Sequence, residues 1–185
     1  PIPKILDNGN MITSILLIPA FFYARRLIDS KSKQLESFNV PKWYSSLILV
    51  VMLVGTIGFF STGFFSEDVA INLYPVTTSE YDLHDIFTYV VFGGYASAGF
   101  FLGIIFVRYP RGIIEMGAYE KGSKLIPIVM GLIMIFLTPV LFTFFVLELP
   151  PTTPFWEWML LFSIIGWIPP MGIIVLHQIK IEELK

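Results

Sequence analysis

Five long apolar segments alternate with short polar segments along the chain. They cover residues 11–27, 43–65, 83–107, 125–147 and 155–176, and their few charged residues lie near the segment ends. A helix needs about 20 mostly apolar residues to cross ~30 Å of hydrocarbon. Four segments meet this length, and the first is near the lower limit. The pattern predicts an all-α integral membrane protein, a single helical-bundle domain over residues 1–185 with five transmembrane helices in this sequence.

The charges of the polar segments alternate from one side of the predicted bundle to the other. Eleven of the twelve Lys and Arg residues lie within residues 25–42, 108–124 and 177–185, which connect or follow the spans on one side. Lys4 is the exception, and it shares the other side with eight of the fourteen acidic residues. Short loops rich in Lys and Arg stay in the cytoplasm. We therefore predict that the N-terminus of this chain lies outside and that the C-terminus is cytoplasmic.

The start of the sequence bears on the number of spans. It begins Pro-Ile-Pro, and its first ten residues have neither the apolar core nor the cleavage pattern of a signal peptide. An external N-terminus without such a signal is unusual ahead of five spans. We therefore expect a further helix before residue 1, which would give six spans with both ends in the cytoplasm. A chain with five spans is the alternative.

Composition agrees with a lipid environment and excludes several functional classes. Charged residues make up 14% of the chain, against roughly a quarter in soluble domains. Cysteine is absent from the sequence, which excludes thiolate chemistry, disulfides and Cys-ligated metals. The sequence also lacks a phosphate-binding loop, a nucleophile elbow and a dinucleotide fingerprint. No basic stripe is present, so we expect no nucleic-acid partner.

Small residues are concentrated in the third predicted span. Gly94-x-x-x-Ala98 and Gly99-x-x-x-Gly103 have the spacing at which small residues line one helix face, and the second span contributes Gly55. In lipid, such residues let helix backbones approach closely enough for dispersion contacts. We predict that the third span is central and packs against the second. A dimerisation face is the alternative.

One polar cluster has residue types suited to chemistry. Residues 66–82 are rich in acidic and hydroxyl side chains, and His84 and Asp85 follow them at the start of the third span. Imidazole and carboxylate groups together suit zinc or a similar divalent ion. The candidate metal ligands are His84, Asp85, Glu67, Asp68 and Glu157, and the candidate catalytic residues are His84 and Asp85.

A structural interpretation competes with the metal site. Asp82 is placed to cap the third helix, with Asp85 three residues later as in a capping box. Hydrolytic zinc sites usually contain two or three histidines at motif spacing, and the second histidine, His177, lies on the opposite side of the predicted bundle. We therefore expect no cofactor. A divalent metal is expected only if the metal-site interpretation is correct.

Short motifs in the first half of the chain resemble a known family. Asn8-Gly9-Asn10 opens one helix, Gly63-Phe64-Phe65-Ser66-Glu67-Asp68 closes the next, and Leu83-His84-Asp85-Ile86-Phe87 precedes Phe92. In this order they resemble the prokaryotic six-helix membrane proteins grouped as "domain of unknown function nine-nine-eight", which are distantly like Frag/DRAM-type bundles. The resemblance covers about residues 8–105. It implies a helix before the Asn-Gly segment and singles out His84, but it implies no reaction.

Two functional classes follow from these observations. We favour a multi-pass membrane protein without evident catalytic chemistry, either an accessory or packing subunit of a membrane complex or a lipid- or partner-binding bundle. The alternative is an outer-face, membrane-embedded, metal-dependent hydrolase that acts on a lipid headgroup. The expected partners are the lipid bilayer and either other membrane subunits or further copies of the chain. The resemblance implies the plasma membrane of a prokaryote.

Overall fold

All regular elements that the structure describes are helices. The structure is a computed structural model that describes residues 2–65, 83–118, 124–150 and 153–183. The elements are α1 (Ile2–Gln34), α2 (Lys42–Phe64), α3 (Leu83–Arg108), the short α4 (Pro110–Ile113) with a π-helical turn (Ile114–Ala118) after it, α5 (Leu125–Val146) and α6 (Thr153–Glu183). The described residues contain no strand. The prediction of an all-helical chain is confirmed.

Four of these helices are long and apolar enough to cross a membrane. They are the Asp7–Gln34 part of α1, and α2, α3 and α5 over their full lengths. In α6 the apolar stretch found among described side chains is shorter, Phe155–Ile164, although the helix is continuous over 31 residues. The predicted fifth span, residues 155–176, therefore lies inside one continuous helix, and its crossing stays a prediction.

α1 differs most from its predicted bounds. The sequence predicts a span that is closed by Arg25 and Arg26, but the helix continues to Gln34. Beyond this point Leu27 and Ile28 are both buried in the bundle. Arg25 also pairs across one helical turn with Asp29, with 3.8 Å between Nε and Oδ2. Helix continues here because the added turns bury apolar side chains and pair their charges.

α3 is the central helix of the bundle. It packs against α2 on one side and α5 on the other, while α1 packs against α2 and α6 against α5. A Cβ added to Gly94 would lie 2.5 Å from the Cα of Gly55, and one added to Gly103 would lie 2.7 Å from the carbonyl oxygen of Gly131. The predicted central position of α3 and its packing against α2 are confirmed. Glycines from both small-residue patterns face helices of the same chain.

A buried pair of hydroxyl groups joins α2 to α3 near the bundle centre. The Thr56 hydroxyl donates to the carbonyl oxygen of Met52 at 2.8 Å and lies 3.3 Å from the hydroxyl of Tyr95. Because the one hydrogen of Thr56 is used for Met52, the Tyr95 hydroxyl donates to Thr56. The ring of Tyr95 meets Phe21 of α1 edge-on, with centroids 6.3 Å apart. Side chains of α1, α2 and α3 therefore meet at one point in the core, where the hydroxyl groups of Thr56 and Tyr95 both have hydrogen-bond partners.

Candidate functional site

The structure describes the predicted metal site only in part. Two of the five candidate ligands, Glu67 and Asp68, lie outside the described residues, and so does the predicted helix cap Asp82. His84 is half-buried and Asp85 exposed in the first turn of α3, and Glu157 is half-buried near the start of α6. Within the described ranges, no three His or acidic side chains group closely enough to hold a metal ion. The five-residue site stays a prediction.

His84 has a structural partner at the end of α2. Its Nδ1 lies 3.1 Å from the carbonyl oxygen of Phe65, the residue that follows the last helical turn. The last carbonyls of a helix lack an intrahelical partner, so Nδ1–H donates here. In that tautomer the lone pair is on Nε2, which is the ring atom that would ligate a metal. The rings of Phe65 and Phe87 stack at the same junction, 5.4 Å apart.

The opposite end of the bundle contains a polar network that the sequence analysis missed. The Ser45 hydroxyl of α2 donates to Asp29 Oδ1 of α1 at 2.5 Å, and Asp29 also pairs with Arg25. Arg25 Nε is buried, and it has no hydrogen-bond partner among the described residues. The network ties α1 to α2 through a carboxylate that faces a hydroxyl and a guanidinium. The spacing of Arg25 and Asp29, four residues apart, is the signal for it in the sequence.

Phe38 anchors the connection between α1 and α2. Its side chain is completely buried, and its ring meets that of Tyr109 edge-on with centroids 5.7 Å apart. A Cβ added to Gly112 of α4 would lie 2.5 Å from the Cβ of Phe38, so only glycine leaves room at this contact. The Tyr109 hydroxyl donates to the carbonyl oxygen of Asn39 at 2.6 Å. The connection is therefore fixed against the end of α3 and against α4.

The basic segments of the chain meet at this same end. The amide of Gln178 in α6 is buried and donates to the carbonyl oxygen of Met116 in the π-helical turn at 2.6 Å. The C-terminal part of α6, the π-helical turn and the α1–α2 connection therefore lie together. The described basic residues on these segments and on the adjoining helix ends are Arg25, Arg26, Lys31, Lys33, Lys42, Arg108, Arg111, Lys124 and Lys180. We call this the basic end of the bundle.

An apolar groove with a volume of about 300 Å³ lies between α5 and α6. Its lining consists of Met130, Ile133, Met134, Leu137, Thr138, Leu141, Met159, Phe162, Ser163 and Gly166. Two of these residues carry hydroxyl groups, and that of Ser163 donates to the carbonyl oxygen of Leu160 in its own helix at 2.8 Å. The described lining residues include no acid, base or cation, and they suit the groove to binding an apolar group rather than to catalysis.

Three of the motif residues that carry the family resemblance have packing contacts in this structure: Gly63, Phe65 and Phe92. A Cβ added to Gly63 would lie 2.5 Å from the carbonyl oxygen of Asp7, so this glycine lets α1 and α2 approach. Phe65 contacts both His84 and Phe87, as described above, and Phe92 is buried. The family assignment itself stays a prediction. A scan against models of known protein families found no match, and neither did searches of curated proteins and of solved structures.

Proposed function

We propose that this chain is an integral membrane bundle that serves as a packing or accessory subunit, through contacts of its apolar faces with lipid and with other membrane proteins. The outward surface of the long helices carries this proposal. Leu16, Ile57 and Phe136 are each more than 60% exposed, on α1, α2 and α5. Soluble monomers rarely expose contiguous apolar patches above a few hundred Å². Lipid is the solvent in which such a surface is stable.

The distribution of burial supports a central helix surrounded by lipid-facing neighbours. The most apolar stretch of α3 is 61% buried, whereas that of α1 is 22% buried and that of α5 is 28% buried. Helices satisfy their backbone hydrogen bonds internally, which a chain in hydrocarbon requires. The excess of Lys and Arg at the basic end supports a cytoplasmic location for that end. The resemblance supports the plasma membrane of a prokaryote as the location.

The contacts of the described polar groups support a structural role rather than catalysis. The His84 ring caps α2, Ser45 and Asp29 join α1 to α2, and Gln178 joins α6 to the π-helical turn. In each case the side chain joins two helical segments by a hydrogen bond, which is a structural role. The hydrolase alternative requires that the carboxylates of Glu67 and Asp68 lie close enough to His84 Nε2 to bind the same metal ion.

Labelling of single cysteines tests insertion and orientation, since the native chain has no cysteine. We expect an impermeant maleimide to label Asn8→Cys in intact cells, because Asn8 is exposed at the outer end of α1. Glu36→Cys is the matched variant at the basic end, exposed in the α1–α2 connection. It should react only after the cells are opened. Labelling of Glu36→Cys alone in intact cells would reverse the orientation, and recovery of the protein in the soluble fraction would refute membrane insertion.

Purification in mild detergent tests the accessory role and the metal alternative together. We expect a membrane protein to co-purify in fixed ratio with the chain, and we expect no bound metal by elemental analysis. His84→Ala should lower the free energy of unfolding by about 1 kcal/mol, through loss of its hydrogen bond to Phe65. Its metal content should equal that of the control His177→Ala. A chain purified alone, with one equivalent of metal that disappears only in His84→Ala, would establish the hydrolase alternative instead.

A further inference from the structure

The dimensions of the α5–α6 groove restrict what can occupy it. From Met130 to Leu141 the groove follows α5 for eleven residues, which is about 16 Å at 1.5 Å per residue. Its volume of about 300 Å³ is at the lower end of the range for small-molecule pockets, roughly 300–1,000 Å³. A pocket of this size can enclose a single extended hydrocarbon chain but not a whole helix of ~10 Å diameter.

The chemistry of the lining also suits a hydrocarbon chain. Met130, Met134 and Met159 place unbranched thioether side chains along the groove, and such side chains adapt to an irregular apolar guest. The hydroxyl of Ser163 already donates within its own helix, so it requires no polar partner from a ligand. The groove is continuous with an outward apolar surface, because the lining residues Ile133 and Phe162 are 51% and 60% exposed.

One end of the groove leads toward the basic end of the bundle. Met130 lies six residues after Lys124, or about 9 Å along the axis of α5. Lys124, Arg111 and Lys180 are exposed at the basic end. Clusters of Lys and Arg at a membrane surface attract anionic lipid headgroups. A lipid whose chain lies in the groove would have its headgroup on this side.

We propose that the α5–α6 groove binds one acyl chain of a bilayer phospholipid whose anionic headgroup lies at the basic end of the bundle. This inference rests on the proposed function, because it requires the bundle to be in a bilayer. It goes further by naming one lipid class and one site. The remaining apolar surface then contacts exchanging lipid in the ordinary way.

Photocrosslinking in reconstituted vesicles tests the site. The probe is phosphatidylglycerol with a diazirine in one acyl chain, diluted into phosphatidylcholine vesicles, and the crosslinked peptides are identified by mass spectrometry. We expect crosslinks to be enriched on the groove residues over the outward faces of α1 and α5. This map needs no substitution, so it tests the site even if a variant fails to fold.

Two glycines of α6 provide a matched pair of variants. Among the described atoms, none lies within 4 Å of a Cβ added to Gly166 or to Gly172, so a larger side chain is expected to fit at both positions. Of the two glycines, Gly166 belongs to the described lining of the groove. Gly166→Leu should lower groove crosslinking at least about tenfold, because its side chain displaces about two methylene groups of the lipid. Gly172→Leu should leave it unchanged. Equal crosslinking in the two variants would refute the site.

The headgroup is tested with the same diazirine chain on phosphatidylcholine. We expect about fivefold less groove crosslinking than with phosphatidylglycerol, because one or more cationic contacts are lost. Equal yields would refute the anionic headgroup. Crosslinks spread evenly over all outward faces would refute the groove site while leaving the membrane bundle supported. Absence of crosslinks anywhere on the chain would refute the membrane bundle as well.

Discussion

Replacing Phe38 with alanine should lower the free energy of unfolding by about 3–5 kcal/mol, the usual cost of removing a fully buried phenylalanine ring. The ring has no exposed surface and is enclosed by Tyr109 and Gly112. It also borders a small cavity lined by Ile113 and Ile174, which the substitution would enlarge. The α1–α2 connection lies outside the long apolar helices, so unfolding moves Phe38 toward water rather than lipid. The hydrophobic contribution therefore applies in full.

The control for Phe38→Ala is the same substitution at an outward-facing position. Phe136 of α5 is 64% exposed, and Phe136→Ala should cost less than about 1 kcal/mol. Both variants are compared by thermal and chemical unfolding in one detergent, and by the rate of tryptic cleavage after Lys33. Faster cleavage is expected only in Phe38→Ala, because the anchor of that connection is lost. Equal losses of stability would mean that Phe38 is not packed as the structure shows.

The apolar runs predicted three helices well because each run is uninterrupted by charge and is bounded by polar residues. α2, α3 and α5 begin and end within one residue of the predicted segments 43–65, 83–107 and 125–147. The helix α1 extends beyond the predicted span 11–27, since a hydropathy pattern counts Arg25 and Arg26 as a boundary. In the folded chain Arg25 pairs with Asp29, and the turn beyond buries Leu27. Because Arg25 and Asp29 pair within α1, the helix tolerates these charges, although a hydropathy pattern treats them as its end.

Contacts between distant segments could not be predicted from the sequence. Nothing in the local pattern around Phe38 distinguishes it from an exposed loop residue, because its partners Tyr109 and Gly112 lie some seventy residues away. The link between Ser45 and Asp29 likewise depends on how α1 and α2 are rotated against each other. At the other end, the sequence placed His84 at the start of the third helix, and the structure has it in the first turn of α3. Its hydrogen bond to Phe65 required the fold.

The small-residue patterns of α3 are likewise only partly informative about packing. Their spacing predicts close helix contacts but not which neighbour each glycine faces. In the structure Gly94 faces α2, Gly103 faces α5, and Gly93 faces the ring of Phe142 on α5. Neighbouring glycines therefore meet different surroundings, backbone in one case and a side chain in the other. This difference can be measured.

Gly94→Ala should be less stable than Gly93→Ala by about 2–3 kcal/mol. The methyl group added at Gly94 would lie 2.5 Å from both the Cα and the N of Gly55, and these backbone atoms can move only if α2 moves away from α3. The methyl group added at Gly93 would lie 3.3 Å from Cζ of Phe142, a ring that can shift. Both variants gain the same helix propensity, up to about 1 kcal/mol, so this contribution cancels in the comparison.

Unfolding of both variants in one detergent measures this difference, and the pair formed by Tyr95 and Thr56 supplies a second measurement. These residues lie next to Gly94 and Gly55 on the two helices, so separation of the backbones should also break their hydrogen bond. If so, removal of the hydroxyl by Tyr95→Phe should destabilise Gly93→Ala but have little further effect on Gly94→Ala, since contacting sites are not additive. Additive costs, or equal stability of the two alanine variants, would show that α2 and α3 do not approach at Gly55 and Gly94. In the lipid that we propose surrounds the bundle, this close approach supplies the dispersion contacts that hold α3 in its central position.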